Sequence, residues 1–247
     1  MKLISLNMEG NSHLDRVQSF ITNQRPDILC LQEVPEDFQT YLHTLGYQTT
    51  FAPMVIREHP TDNYAEGIMF ASLTTHTSTT TYYHKSADTV TVPVYRDATT
   101  CANVIILGTC IIDDQTFTVG TTHVMVTIDG LPDDFQRTGI ANLMNILSKH
   151  PPHLLCGDFN MPRGINDLYE VFTDQYTDVI PNTYTSSLDR NLHQLGHIAD
   201  TLNAPIFTTY MVDYVFTQPP YTASDVRLQF GISDHAAVVA HLSISDT

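Results

Sequence analysis

Apolar runs that stop on a carboxylate, an amide or an imidazole recur along this chain, and no other feature constrains its fold as tightly. Four of them are Leu29-Cys30-Leu31-Gln32-Glu33, Leu154-Leu155-Cys156-Gly157-Asp158-Phe159-Asn160, Met211-Val212-Asp213-Tyr214-Val215-Phe216 and Ile232-Ser233-Asp234-His235, while Lys2-Leu3-Ile4-Ser5-Leu6 ends in the same way on Asn7. A buried strand carries an ionised group through an apolar interior only at heavy cost, so such a group belongs at the strand's end, on the rim of a sheet. One such ending is ordinary. Their recurrence points to a site assembled from strand ends that meet at one cleft.

The chain has 247 residues, 42% of them hydrophobic, which is enough for a large core and excludes a disordered chain. No Ser/Gly linker, Pro-rich tract, charge block or fixed-period repeat divides it, so one domain spanning 1–247 is expected. The net charge of −16, with basic residues scattered singly, repels phosphate backbones and excludes an extended duplex-binding platform. It does not exclude a nuclease, because a bound divalent cation reverses the sign of its own site. Cys30, Cys101, Cys110 and Cys156 lie mostly in or beside apolar runs without CxxC spacing, so they read as buried free thiols, not as a zinc site or a disulfide framework. The apolar stretch before Asn7 is too short for a signal sequence and no run reaches membrane-spanning length. A soluble, cytoplasmic, monomeric protein is the expectation.

The local texture is β-rich with helices interspersed. Leu14, Val17, Phe20 and Ile21 mark a helix, Asp27 to Val34 a buried strand, and Phe38 to Leu45 a short helix with Gly46 as its cap. From Tyr47 to Val124 the runs are Thr-rich and β-branched: Thr79 to Tyr83, Val90 to Val94, Val104 to Leu107 and Thr116 to Thr122, with a hairpin turn at Asp113-Asp114-Gln115. Asp133 to Lys149 is the clearest helix, and Ala236 to Leu242 a final strand. Many strands follow one another without crossover helices, which favours two packed sheets flanked by helices over a doubly wound parallel sheet.

Each candidate residue has two readings. Glu33 is either buried and partnered or on a cleft rim, where it can ligate a hard cation such as Mg²⁺, which takes one or two carboxylates and fills its other positions with water and phosphate. Asp158 and Asn160, two apart, face the same way on an extended segment and can orient a water and a phosphoryl oxygen, or they simply form an Asx turn. His235 beside Asp234 is a candidate general base, with Asp213 able to hold its imidazole in one tautomer. His123 closes another strand-like run, whereas the other ten of the twelve histidines read as structural. Tyr64 and Glu66 can face the same cleft, Glu66 pairing with His123. Arg96 is either a phosphate contact or a solvated loop residue.

Taken in order, Ser5-Leu6-Asn7, Asp27-Ile28-Leu29-Cys30-Leu31-Gln32-Glu33-Val34, Thr122-His123, Gly157-Asp158-Phe159-Asn160, Asp213-Tyr214 and Ser233-Asp234-His235 resemble the endonuclease/exonuclease/phosphatase superfamily, the DNase I-like fold. The resemblance implies a four-layered α/β sandwich, two packed and mainly antiparallel sheets flanked by helices, with the site at one end. It implies Mg²⁺, with Mn²⁺ as a substitute, on Glu33 with Asn7 nearby. Asp158 and Asn160 would position water and phosphate. His235, oriented by Asp213, would be general base or phosphate ligand, and His123 would stabilise the transferring phosphoryl group. Asp234 would complete the shell, and Glu9 stands where abasic-site endonucleases of the family carry an acidic residue that can contact metal.

The implied activity is metal-dependent hydrolysis of a phosphodiester or phosphomonoester by attack of water. Alternatives are a nuclease acting on DNA ends or single strands, including a tyrosyl-DNA phosphodiesterase, and a non-catalytic binding member of the fold. Absence of a basic stripe and of Trp disfavours a duplex-gripping or base-stacking surface. Asn7, Glu33, Asp158 and His235 are all present, which favours activity.

Overall fold

The computed structural model describes residues 1–58, 60, 62–84, 92–198 and 205–245. In chain order its elements are β1 Lys2–Asn7, α1 Leu14–Gln24, β2 Ile28–Pro35, α2 Phe38–Thr44, β3 Gln48–Arg57, β4 Tyr64–Ser72, β5 His76–Tyr82, β6 Val104–Ile112, β7 Gln115–His123, α3 Asp134–Leu147, β8 Leu154–Asp158, α4 Leu168–Thr173, β9 Thr177–Asp178, β10 Asp213–Thr217, β11 Tyr221–Gln229 and β12 Ala237–Ile244. One six-stranded sheet runs β11-β12-β1-β2-β4-β3 and the other β5-β6-β7-β8-β10-β9. The expected run from Val90 to Val94 lies partly outside the described residues; Val94 itself forms an isolated parallel bridge with Ile56.

Each sheet contains one parallel pair, β1 with β2 and β7 with β8, and every other pair is antiparallel. A parallel pair needs a long crossover, and α1 and α3 are those crossovers. Each βαβ unit brings two strands to the same end of its sheet, so Asn7 lies opposite Gln32 in one sheet and His123 opposite Asp158 in the other. Two crossovers therefore account for the convergence of strand ends.

Alternation along the strands sorts the layers. Leu3, Ile28, Cys30 and Phe70 point between the sheets, joining Val104, Ile106, Val119 and Tyr214 in one core that extends to α3 and α4. Ile4, Leu6, Leu29 and Leu31 point the other way and pack with Val17, Phe20 and Ile21 of α1 and with Phe38 and Leu42 of α2. The order is helices, sheet, sheet, helices. Phe70 is fully buried between the sheets, a burial that contributes about 1.5–3 kcal/mol. A Cβ at Gly108 would stand 2.5 Å from its ring, so the absent side chain lets the sheets close on it.

The β6–β7 hairpin turns on two residues, Asp113 at φ 50° and Asp114 at φ 60°, between the paired Ile112 and Gln115. Both left-handed conformations match a type I′ turn, whose twist suits the flanking strands. Among the described residues no helix is long and apolar enough to cross a membrane.

Candidate active site

A register shift in β2 shapes the site. Leu31 pairs with Met69 and Val34 with Gly67, so β2 carries one more residue than β4 across this interval, and Glu33 sits in it at φ 48°. The bulge breaks the alternation. Gln32 still points between the sheets, donating to Thr121 Oγ1 at 3.0 Å, while Glu33 is turned to the cleft beside Asn7. Glu33 is therefore aimed by a bulge instead of by the end of its strand.

Asn7 bridges the two sheets. Its Nδ2 donates to Glu33 Oε1 and to Asp158 Oδ2, each at 3.1 Å, and its Oδ1 accepts from the backbone N–H of Glu9. Asp158 is buried, and its other oxygen, Oδ1, accepts from the N–H of Asn160 at 2.9 Å. The Asx turn and the site geometry are thus one arrangement: the turn puts Asn160 at φ 50° and brings its Nδ2 to 3.1 Å from His123 Nε2. Gly157 makes the turn's entry possible. Its φ is 144°, and a Cβ there would meet Thr122 O at 2.0 Å.

His235 approaches from the other side. Its Nδ1 lies 2.7 Å from Asp213 Oδ2, which leaves Nε2 facing Asp158 Oδ2 at 3.8 Å. His123 Nε2 lies 3.6 Å from the same oxygen and 3.8 Å from Glu33 Oε1. Asp213 opens β10 and pairs with Asp158, so the buried carboxylates are strand neighbours. Ser187, fully buried, donates to Asp213 Oδ2 at 2.6 Å. Leu188 forms an isolated bridge with His235, so the loop carrying Ser187 also braces the imidazole's backbone.

The electrostatics follow from burial and crowding. Burial disfavours a charged His235, but Asp213 and Asp158 outweigh it and raise its pKa well above the ordinary value. Asp158 is raised by burial and by Asp213, against the pull of His235 and His123. Burial works to raise Glu33 as well, yet His123 and the Asn7 hydrogen bond bring it below the usual carboxylate range. Asp234 is pushed up to about 6 by burial, with Glu9 and Glu33 adding to the effect.

The oxygens of Glu33 and Asp158, with Asn7 between them, form an oxygen-rich donor set at the cleft, and Asp234 adds a further carboxylate to its lining. Such a set suits a hard divalent cation like Mg²⁺ or Mn²⁺. Ligand atoms of Asp158, Asp213 and His235 also lie within 4.8 Å of one another. There the His235 nitrogen facing Asp213 and the Asp213 oxygen are already hydrogen-bonded, so this trio reads as an oriented imidazole beside an acceptor more than as an ion cage.

Three sequence expectations fall differently. Glu66 does not pair with His123: Arg57 takes its Oε1 through Nε at 2.7 Å and Nη2 at 2.6 Å, because the β3–β4 hairpin sets Arg57 next to Glu66 on the same rim. Tyr64, two residues before, reaches Gly10 with Glu66 instead of lining the main cavity. Glu9 does not line that cavity either, and its carboxylate is held by His13 at 3.0 Å and Gln194 at 2.8 Å. Arg96, by contrast, takes the solvated one of its two readings and is paired with Glu58. Conversely, Arg57, Ser187 and His193 at or beside the site escaped sequence reading. Ser187 and His193 sit in a loop with no apolar run to mark it, and Arg57 is recognisable only through its pairing across β3 and β4.

The model of the endonuclease/exonuclease/phosphatase family matches residues 4–235. The chain belongs to this family. Members of the family are hydrolases acting on phosphoester bonds. No curated protein matches the chain in sequence. Among solved structures, the human Nocturnin catalytic domain with bound sulfate is 18% identical with a TM-score of 0.70, over 99% of this chain and 93% of that one. ANGEL2, a 2',3'-cyclic phosphatase in complex with adenosine-2',3'-vanadate, is 15% identical with a TM-score of 0.71, over 98% and 95%. A family protein from Bacteroides vulgatus is 16% identical with a TM-score of 0.69, over 99% and 98%. At these identities the likeness establishes the DNase I-like sandwich and nothing finer.

Proposed function

We propose that the protein is a Mg²⁺-dependent phosphoesterase that hydrolyses a phosphodiester or phosphomonoester by attack of water. The observation that carries the reading is the convergence of His123, His235 and Asn7 on the buried carboxylate of Asp158, with Glu33 held beside it by the same Asn7 amide and facing His123. Glu33 and Asn7, with Asp234 at the edge, would hold the cation, which when bound neutralises charge on the phosphoryl oxygens. Every other task falls to side chains.

His235, cationic and held through Nδ1 by Asp213, donates from Nε2 to a non-bridging oxygen of the substrate. Asp158 accepts a hydrogen bond from the attacking water and takes its proton as the water oxygen bonds to phosphorus and the ester P–O bond breaks, the leaving oxygen taking a proton from solvent; a pKa raised through burial helps Asp158 in this role. His123 and the Asn160 amide, 3.1 Å apart, contact the transferring phosphoryl group from the second sheet. General base catalysis of this kind contributes ~10²–10⁴-fold in rate.

The test is hydrolysis of an aryl phosphodiester, an aryl phosphomonoester and single-stranded DNA, with Mg²⁺, with Mn²⁺ and with a chelator, His235→Ala serving as control. Metal-dependent cleavage that disappears in the variant is the expected result. Cleavage unchanged by the chelator, or by the substitution under metal saturation, would overturn the reading.

A further inference from the structure

The site opens into a cavity of about 520 Å³ whose two halves differ in chemistry. One end carries Glu33, Asp158, Asp234 and the two catalytic histidines. The remainder is walled by residues such as Met54, Tyr95, Val126, Leu195, Ile206 and Tyr210. Two of these, Val126 and Leu195, are 51% and 40% exposed, so apolar surface is held open to solvent at the mouth. Large apolar side chains left exposed around a concave site mark a surface that a ligand covers.

The charges sharpen the picture. Among the described residues Arg57 is the one Lys or Arg lining the cavity. Its guanidinium is already committed, paired twice with Glu66 and lying 3.9 Å from the centroid of the Tyr95 ring. Lys2 is bonded to Gln24, Arg137 is paired with Asp167, and Arg163 is paired with Asp178, all away from the cavity. Against the paired Arg57 and the Asp213-held His235 stand four lining carboxylates, Glu33, Asp129, Asp158 and Asp234. Beyond one phosphate at the histidines and the cation, a further phosphate would find among the described lining residues polar groups such as Thr127 and His193 but no lysine or arginine that is not already paired, beside acidic and apolar wall that it must desolvate against.

We infer that the cavity selects phosphoesters in which a single phosphate is joined to an apolar or aromatic group, the phosphate at His123 and His235 and the apolar group against Val126, Leu195 and Tyr210. This rests on the phosphoesterase reading for the phosphate end. It excludes polyphosphorylated small molecules and long polyanionic strands as preferred ligands.

Binding of phosphonates, which are not hydrolysed, tests the preference without turnover. Methyl, octyl and naphthyl phosphonate and a butane bisphosphonate are titrated calorimetrically into the protein with Mg²⁺ present. Octyl or naphthyl phosphonate should bind at least about tenfold more tightly than methyl phosphonate, and the bisphosphonate no more tightly than methyl. Octyl preferred over naphthyl points to a lipid-like source, and the reverse to an aryl or nucleobase group. Val126→Asp combined with Leu195→Ser should erase the gain, whereas Ile111→Asp, at an exposed position that does not line the cavity, should keep it. Equal binding of methyl and naphthyl phosphonate, tighter binding of the bisphosphonate, or no binding of any phosphonate overturns the inference. Hydrolysis of an aryl phosphodiester by wild type against His235→Ala runs in parallel. Preference without turnover sinks the phosphoesterase reading alone, and turnover without preference sinks this inference alone.

Discussion

Ser187→Ala should weaken the fold and shift the pH dependence of catalysis together, because one hydroxyl serves both. Its Oγ donates to Asp213 Oδ2 at 2.6 Å and accepts from the backbone N–H groups of Val212 and Asp213 at 3.2 Å each. Ser187 is fully buried, so no water replaces the lost donor without rearrangement. A hydrogen bond to a buried charge contributes about 1.5–3 kcal/mol, and stranding a weakly held N–H adds about 1 kcal/mol, giving a loss of about 2.5–4 kcal/mol. In a chain of this size that lowers Tm by about 5–16 °C. Asp213, relieved of one donor, pulls harder on the proton at His235 Nδ1, so the pKa of His235 moves up. If protonated His235 binds the phosphoryl oxygen, the alkaline limb of kcat/KM moves to higher pH. Ser186→Ala is the control: its Oγ donates to Ile206 O at 2.9 Å and Tyr210 O at 3.2 Å and does not touch Asp213, so stability falls and the alkaline limb stays. Thermal unfolding and a pH–rate profile read both effects. A Ser187→Ala protein within about 0.5 kcal/mol of wild type and with an unmoved alkaline limb would mean that this hydroxyl neither supports the fold nor tunes His235.

Three further outcomes are expected. Saturating Mg²⁺ at a hundred times its Kd should stabilise the wild type by about 2.7 kcal/mol, and Glu33→Gln should lose most of that gain; an undiminished Tm shift in the variant removes Glu33 from the metal site. Gly157→Ala should cost about 2–5 kcal/mol in urea unfolding, since it forces a side chain into φ 144° and onto Thr122 O; a wild-type midpoint contradicts the glycine's role. Burial holds the pKa of His153 below the ordinary imidazole value, although its Nδ1 has Pro151 O and its Nε2 has Tyr176 Oη as partners. The unfolded chain then binds a proton that the folded one does not, so this stability is complete above about pH 6.5 and is lost as pH falls toward the lower folded pKa. His153→Gln should flatten unfolding free energy across that window, and an unchanged pH slope would count against it.

The layers, and the residue types gathered at the candidate site, are legible in the chain alone. Continuous apolar runs such as Leu3 to Leu6 and Leu29 to Leu31 mark strands buried on both faces, and the 3.6-residue stripe of Ile140, Leu143, Met144 and Leu147 marks a helix buried on one, since burial of apolar surface dominates the folding free energy. Strand ends could carry Asn7, His123 and Asp158 to one rim because a charge or amide inside those runs would be costly. Pairing was not written locally. The bulge that turns Glu33, the hairpin that gives Glu66 to Arg57 instead of His123, and the loop that puts Ser187 under Asp213 each join residues distant in the chain by hydrogen bonds no spacing encodes. Side-chain type is a local property, whereas a partner is chosen by register and packing across the whole molecule, so which carboxylate meets which cation emerges only in the folded chain.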